Sequence, residues 1–268
     1  MRLKLIFLIL AVSFFVKISA QSTASKQVTK LTIEAPQLNT IKTIWVYLPK
    51  NYHNSNKRYP VIYMHDAQNL FDANTSYVGE WQIDEYLDTI TENESIIIGI
   101  EHGNEKRIEE LTPFSHEKHG GGNGDAYLNF IKNNLKPFID SSYMTISNAE
   151  HTTLFGSSLG GLISFYGVVK YPETFGNAGV FSPSFWINPE IYSFVKSVEI
   201  PKTSKFYFLV ETAESEDMVP DKERMVALLK SKDVLDNQIK NLTIKDGEHN
   251  EKFWSTHFAN AYQWLYNK

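Results

Sequence analysis

The chain has 268 residues, 42% of them hydrophobic and 13% aromatic, with no cysteine. Its formal charge of −5, from 31 acidic against 26 basic residues, argues against a nucleic-acid or anionic-membrane partner. Without cysteine there is no disulfide framework and no lipid-modified cysteine anchor.

Met1-Arg2-Leu3-Lys4 is a basic start, Leu5 to Val16 is apolar, and Ile18-Ser19-Ala20 ends on a small residue. This reads as a signal peptide over residues 1–20, cleaved after Ala20. The apolar run is shorter than the ~20 residues that span a bilayer, so no stable membrane span is expected after cleavage. Losing Arg2, Lys4 and Lys17 makes the mature chain three units more negative. An exported chain without disulfides points to a bacterial periplasm or exterior, where a large core suffices for stability.

Residues 21–30 read as a polar linker and 31–268 as one domain. Leu31–Ala35 and Ile41–Leu48 read as an antiparallel pair. Pro60-Val61-Ile62-Tyr63-Met64 is a continuous apolar run, as expected of a strand buried on both faces. A helix is expected over Gly79–Thr91, then a buried strand over Ser95–Ile100. Glu101–Gly124 is charged and glycine-rich and reads as a long loop, with Asp125 capping a helix to Ser141 that Pro137 kinks or stops. Strands follow at His151–Phe155, Gly179–Phe181, Lys205–Val210 and Asn241–Lys245, with helices over Val219–Lys232 and Phe253–Tyr266. This alternation predicts an α/β fold, a mostly parallel central sheet with helices on both faces.

Between one strand and the next helix stands Gly156-Ser157-Ser158-Leu159-Gly160. In G-x-S-x-G the central serine occupies a sharp strand-to-helix corner, and the flanking glycines let strand and helix approach. The helix N-terminus aims unpaired N–H groups at developing negative charge. Ser158 is therefore the candidate nucleophile, and it needs a base and a group to orient that base. Only His249 and His257 follow it; His249 sits in a polar loop after the last strand, while His257 lies inside the final helix. His249 is the candidate base. For the acid, Glu211, Glu214, Glu216 and Asp217 all follow a strand end, and spacing alone leaves the choice open. The loop after Met64 should supply the second oxyanion donor, so the backbone N–H groups of Gln68 and Leu159 are the candidate oxyanion hole. His65 and Asp66 precede the nucleophile and read as supporting groups.

Several stretches in this order resemble the Putative esterase family of α/β-hydrolases, over nearly all of the mature chain. They are Tyr59–Asp72, Gly79-Glu80-Trp81, Arg107 to Pro113, Gly120–Tyr127, the Ser158 motif, Phe181–Trp186 and Gly247-Glu248-His249. The family contains carbohydrate esterases such as acetylxylan and feruloyl esterases, enterobactin esterases, esterase D and mycolyltransferases. The resemblance implies an α/β-hydrolase fold, a Ser158–His249–Glu214 triad, and no metal or organic cofactor. Glu211 stands where the family often has glycine and adds a second carboxylate; Ala67 also replaces a usual glycine. Asp66, Trp81, Arg107 and Trp186 lie in the matching stretches and are candidates for substrate contact.

The expected activity is hydrolysis of carboxylic esters by an exported serine esterase. Its substrate would be a small-molecule or polysaccharide ester, with acetyl or feruloyl-type groups on carbohydrate leading. A siderophore esterase is the alternative, disfavoured by the negative charge. Acyl transfer to a sugar is a further one, and a non-catalytic carbohydrate-binding module is the alternative of another class.

Overall fold

The computed structural model describes residues 21–266, so the expected signal peptide lies outside the described residues. Ten strands occur in chain order: β1 (Val28–Ala35), β2 (Thr40–Tyr47), β3 (Val61–His65), β4 (Ile96–Ile100), β5 (Ser115–His116), β6 (Gly120–Gly121), β7 (Thr152–Ser157), β8 (Asn177–Phe181), β9 (Lys205–Glu211) and β10 (Ile239–Ile244). The helices are α1 (Ile83–Leu87), α2 (Arg107–Leu111), α3 (Gly124–Phe130), α4 (Lys136–Ser142), α5 (Leu159–Lys170), α6 (Glu190–Ser197), α7 (Met218–Ser231) and α8 (Glu251–Tyr266).

Eight strands make one sheet, ordered β1-β2-β4-β3-β7-β8-β9-β10. β2 pairs antiparallel with β1 and β4, and every later pairing is parallel. The period of two in a strand sends Val61 and Tyr63 of β3 to one face and Ile62 and Met64 to the other. The first face packs against residues of α2, α3 and α5 to α7, the second against α1 and α8. With both faces covered, β3 and β4 read as unbroken apolar runs. The fold is the expected α/β-hydrolase architecture. Among the described residues, no helix is long and apolar enough to cross a membrane.

Several local expectations are corrected. β1 begins at Val28, and the preceding residues are tied to the domain rather than forming a free linker. Ser22 Oγ donates to Asp72 Oδ2 (2.5 Å), and Ser25 N–H donates to Asp84 Oδ2 (2.6 Å). The helix expected over Gly79–Thr91 shrinks to α1, because Gln82 takes a left-handed conformation (φ 54°) that a continuous helix excludes. The expected loop over Glu101–Gly124 holds α2 and the β5–β6 hairpin. Asp125 does not cap α3; Asn123 precedes the helix, and Asp125 accepts bonds from Tyr166 Oη (2.9 Å) and Lys170 Nζ (2.5 Å). Pro137 does not stop its helix. The backbone widens into a π turn over Ile131–Leu135 and continues as α4, a register that accommodates the missing proline N–H. The short helix α6 was not expected at all.

Candidate active site

β7 ends at Ser157 and α5 starts at Leu159, so Ser158 alone makes the turn between them. Its φ of 57° and ψ of −122° lie in a strained region for a residue with a Cβ. The corner closes only because of glycine: a Cβ on Gly156 would come within 2.8 Å of the Gly160 backbone. The Ser158 hydroxyl opens onto a cleft of about 400 Å³ and lies 3.2 Å from Ser184 Oγ. His249 lines the same cleft, so the structure brings the expected nucleophile and base together.

His249 comes from the loop between β10 and α8. The Trp254 ring, one turn into α8, meets the imidazole edge-on at 4.9 Å. The imidazole Nδ1 is hydrogen-bonded to Glu214 Oε1, so Glu214 is the one of the four acidic candidates that the structure bonds to His249. Burial pushes that carboxyl group up, but the His249 hydrogen bond, together with the neighbouring Glu211 carboxyl group, outweighs it and holds Glu214 below the usual carboxylate range. Glu211, the last residue of β9, is completely buried and accepts a bond from Ser182 Oγ (3.2 Å). Glu211, Glu214 and His249 are also the one group of three side chains, among the described residues, close enough to share a cation. His257 packs at a tilt against Phe253, ring centroids 4.7 Å apart.

The oxyanion candidates sit at two helix starts. Leu159 is the first residue of α5, and Gln68 lies in the 3-10 turn Ala67–Asn69. N–H groups at such positions have no acceptor within their own helix. The two turns abut, since a Cβ on Gly160 would lie 3.3 Å from His65 Cβ and 3.5 Å from Asp66 Oδ2. The Gln68 side chain anchors its turn by donating to the His102 carbonyl (3.3 Å) and accepting from the His102 N–H (3.2 Å).

The residues expected to touch substrate divide. Asp66 and Arg107 both line the cleft, but they are engaged with each other through two parallel bonds of 2.7 and 2.8 Å. The Arg107 charge is therefore already neutralised. His102 beside them is pushed down by burial, which keeps it uncharged at neutral pH. Trp81 forms a cleft wall while remaining buried, stacked on Phe181 at 5.6 Å. Trp186 lies outside the cleft lining, half exposed and edge-on to His119 at 5.6 Å. His65 also lines the cleft; its Nδ1 lies 2.7 Å from Tyr127 Oη, and burial lowers its pKa to about 4.

Sequence reasoning missed Ser182, Ser184, Trp254 and Glu251. Trp254 Nε1 donates to Ser182 Oγ (3.0 Å), and Asn69 Nδ2 donates to Glu251 Oε1 (3.0 Å). Ser182 and Ser184 sit in the Phe181–Trp186 stretch, which was a signal for the site but not for these roles.

A model of the family described as "Putative esterase" matches residues 35–265. Among curated relatives, the uncharacterized protein YbbA of Bacillus subtilis is 28% identical over 236 residues, covering 83% of this chain and 92% of its own. The ferri-bacillibactin esterase BesA of Bacillus subtilis is 31% identical over half of each chain. Among solved structures, the BES protein from Bacillus cereus superposes with a TM-score of 0.76 at 18% identity, over 94% of this chain and all of that one. A ferulic acid esterase superposes with a TM-score of 0.68 at 15% identity, over 89% and 97%. The chain belongs to the Putative esterase family and is a carboxylic ester hydrolase by that membership.

Proposed function

We propose that the protein is an exported serine esterase whose triad is Ser158, His249 and Glu214. The observation that carries this reading is the strained Ser158 corner sharing one cleft with a His249 already bonded to a buried Glu214. Ser158 Oγ attacks the acyl carbon while His249 Nε2 takes its proton, and Glu214 holds the imidazole through Nδ1. The N–H groups of Leu159 and Gln68 receive the tetrahedral oxyanion. His249 then protonates the leaving alcohol, and water, activated by the same base, releases the acid and restores Ser158.

The substrate we favour is an ester with no strong net charge, such as an acetyl or feruloyl-type group on carbohydrate. The cleft carries no uncompensated cation in its Asp66–Arg107 pair, and exposed Tyr77 and Val78 offer an apolar border. The ferulic acid esterase likeness is consistent with this but supports the fold alone. A siderophore ester is the second reading, favoured by the match to ferri-bacillibactin esterase. Export is supported by the basic and apolar N-terminus, with Ala20 at the expected cleavage point.

Competing feruloylated or acetylated oligosaccharide against a ferric tris-catecholate trilactone, at equal concentration, tests the substrate. A higher kcat/KM on the carbohydrate ester is expected. A higher value on the siderophore would reverse the assignment.

A further inference from the structure

We propose that Glu211 is a neutral positioning residue, whose protonated carboxyl group donates a hydrogen bond to Glu214 and so aims the triad acid at His249. The inference rests on the triad reading above and explains why this chain carries two buried glutamates at one strand end.

Each group in the network has a traceable donor and acceptor. Trp254 Nε1–H donates to Ser182 Oγ at 3.0 Å, and Ser182 Oγ–H donates to Glu211 Oε2 at 3.2 Å. At the other end, His249 Nδ1–H donates to Glu214 Oε1. Two oxygens are left over, Glu211 Oε1 and Glu214 Oε2, both buried and without a hydrogen-bond partner. One ligand atom from each glutamate and one from His249 lie within 4.8 Å of one another. Two ionised carboxylates here would repel at short range and leave two buried acceptors unsatisfied. One shared proton removes both penalties.

Geometry also decides which glutamate holds that proton. Glu214 accepts the imidazole N–H, which favours its anion, whereas the hydrogen bond that Glu211 accepts comes from the neutral Ser182 hydroxyl. Burial and the Glu214 charge push Glu211 up to about 9, so it is neutral where Glu214 is ionised. The titratable groups facing Glu211 are Glu214 on its own loop and His249 from the β10–α8 loop; the neighbouring Ser182, Gly247, Phe253 and Trp254 contribute none. Gly247 packs directly on it, since a Cβ there would lie 2.7 Å from Glu211 Cβ. The loop carrying His249 is thus seated on the residue that orients Glu214.

Glu211→Gln and Glu211→Ala separate positioning from packing. The glutamine amide can donate to Glu214 and accept from Ser182, yet it cannot ionise. With p-nitrophenyl acetate at pH 7, Glu211→Gln should stay within about twofold of the parent, and Glu211→Ala should lose roughly 10–100-fold in kcat with little change in KM. The fall in the parent's rate as pH rises through about 9 should be absent in Glu211→Gln. An infrared difference spectrum between the parent and Glu211→Gln at pH 7 should contain the C=O stretch of one neutral carboxyl group. This band tests the shared proton even if the protein turns over no ester, so failure of the triad reading is distinguishable. No such band, or a Glu211→Gln variant as impaired as Glu211→Ala, would overturn the proposal. So would a loss of parent activity with EDTA, which would make the cluster a metal site.

Discussion

Arg107 grips Asp66 through Nε and one terminal nitrogen, at 2.7 and 2.8 Å, and thereby ties α2 to the turn that carries Gln68. Asp66 holds a left-handed conformation (φ 57°), which costs energy for a residue other than glycine and needs a fixed partner. Burial pushes the Asp66 carboxyl up, but the guanidinium outweighs it and keeps the group ionised. Lysine cannot reproduce this two-point grip. Arg107→Lys should lower kcat roughly 10–100-fold through displacement of the Gln68 N–H, as steady-state kinetics on p-nitrophenyl acetate would register. An unchanged kcat with a raised KM would instead make Arg107 a substrate-binding group.

Lys42 and Glu110 form a second ion pair, at 2.6 Å, with side chains only 4% and 3% exposed. Glu110 also accepts the Gly103 N–H at 3.0 Å, so it fixes α2 to the sheet below the Arg107 grip. Glu110→Ala leaves a buried ammonium without its counter-charge and should cost about 3–5 kcal/mol. Urea unfolding checks this. The double variant Lys42→Met/Glu110→Leu should recover most of the loss, because an apolar pair needs no desolvated charge.

Asp84 is fully buried, accepts the Ser25 N–H through Oδ2 and leaves Oδ1 without a partner. Burial pushes its pKa up to about 8. Because the folded value lies above that of the unfolded chain, its stabilising contribution is complete in acid and is lost as pH rises through about 8. Glu211 acts in the same sense with a higher midpoint, near 9. Thermal unfolding should show Tm falling between pH 6 and pH 9, each kcal/mol reading as about 2–4 °C. Asp84→Asn should flatten part of that slope. A steeper slope in the variant would contradict the assignment.

Much of this architecture is legible along the chain because its signals are local. The Val61–Met64 run announces a strand buried on both faces, and Gly156 and Gly160 announce the corner that Ser158 occupies. The candidate base was readable because His249 follows the last strand, whereas His257 falls inside α8. Less legible are contacts between distant segments. Ser182 meets Glu211 across 29 residues and Trp254 across 72, and neither separation leaves a periodic trace. That Glu214 rather than an acidic neighbour bonds His249 depends on the path of the Thr212–Asp217 turn, which four carboxylates in seven residues obscure. The shortened α1 reflects a tertiary override: Trp81 is held by its N–H bond to the Asn69 carbonyl (2.8 Å) and by its stacking on Phe181, so the helix begins after it.

The most direct test is hydrolysis of p-nitrophenyl acetate by the protein beside Ser158→Ala. Turnover by the parent and its reduction to the solution background in the variant are expected, with both proteins unfolding at similar temperatures. Turnover that persists undiminished in Ser158→Ala would contradict the assignment of Ser158 as nucleophile.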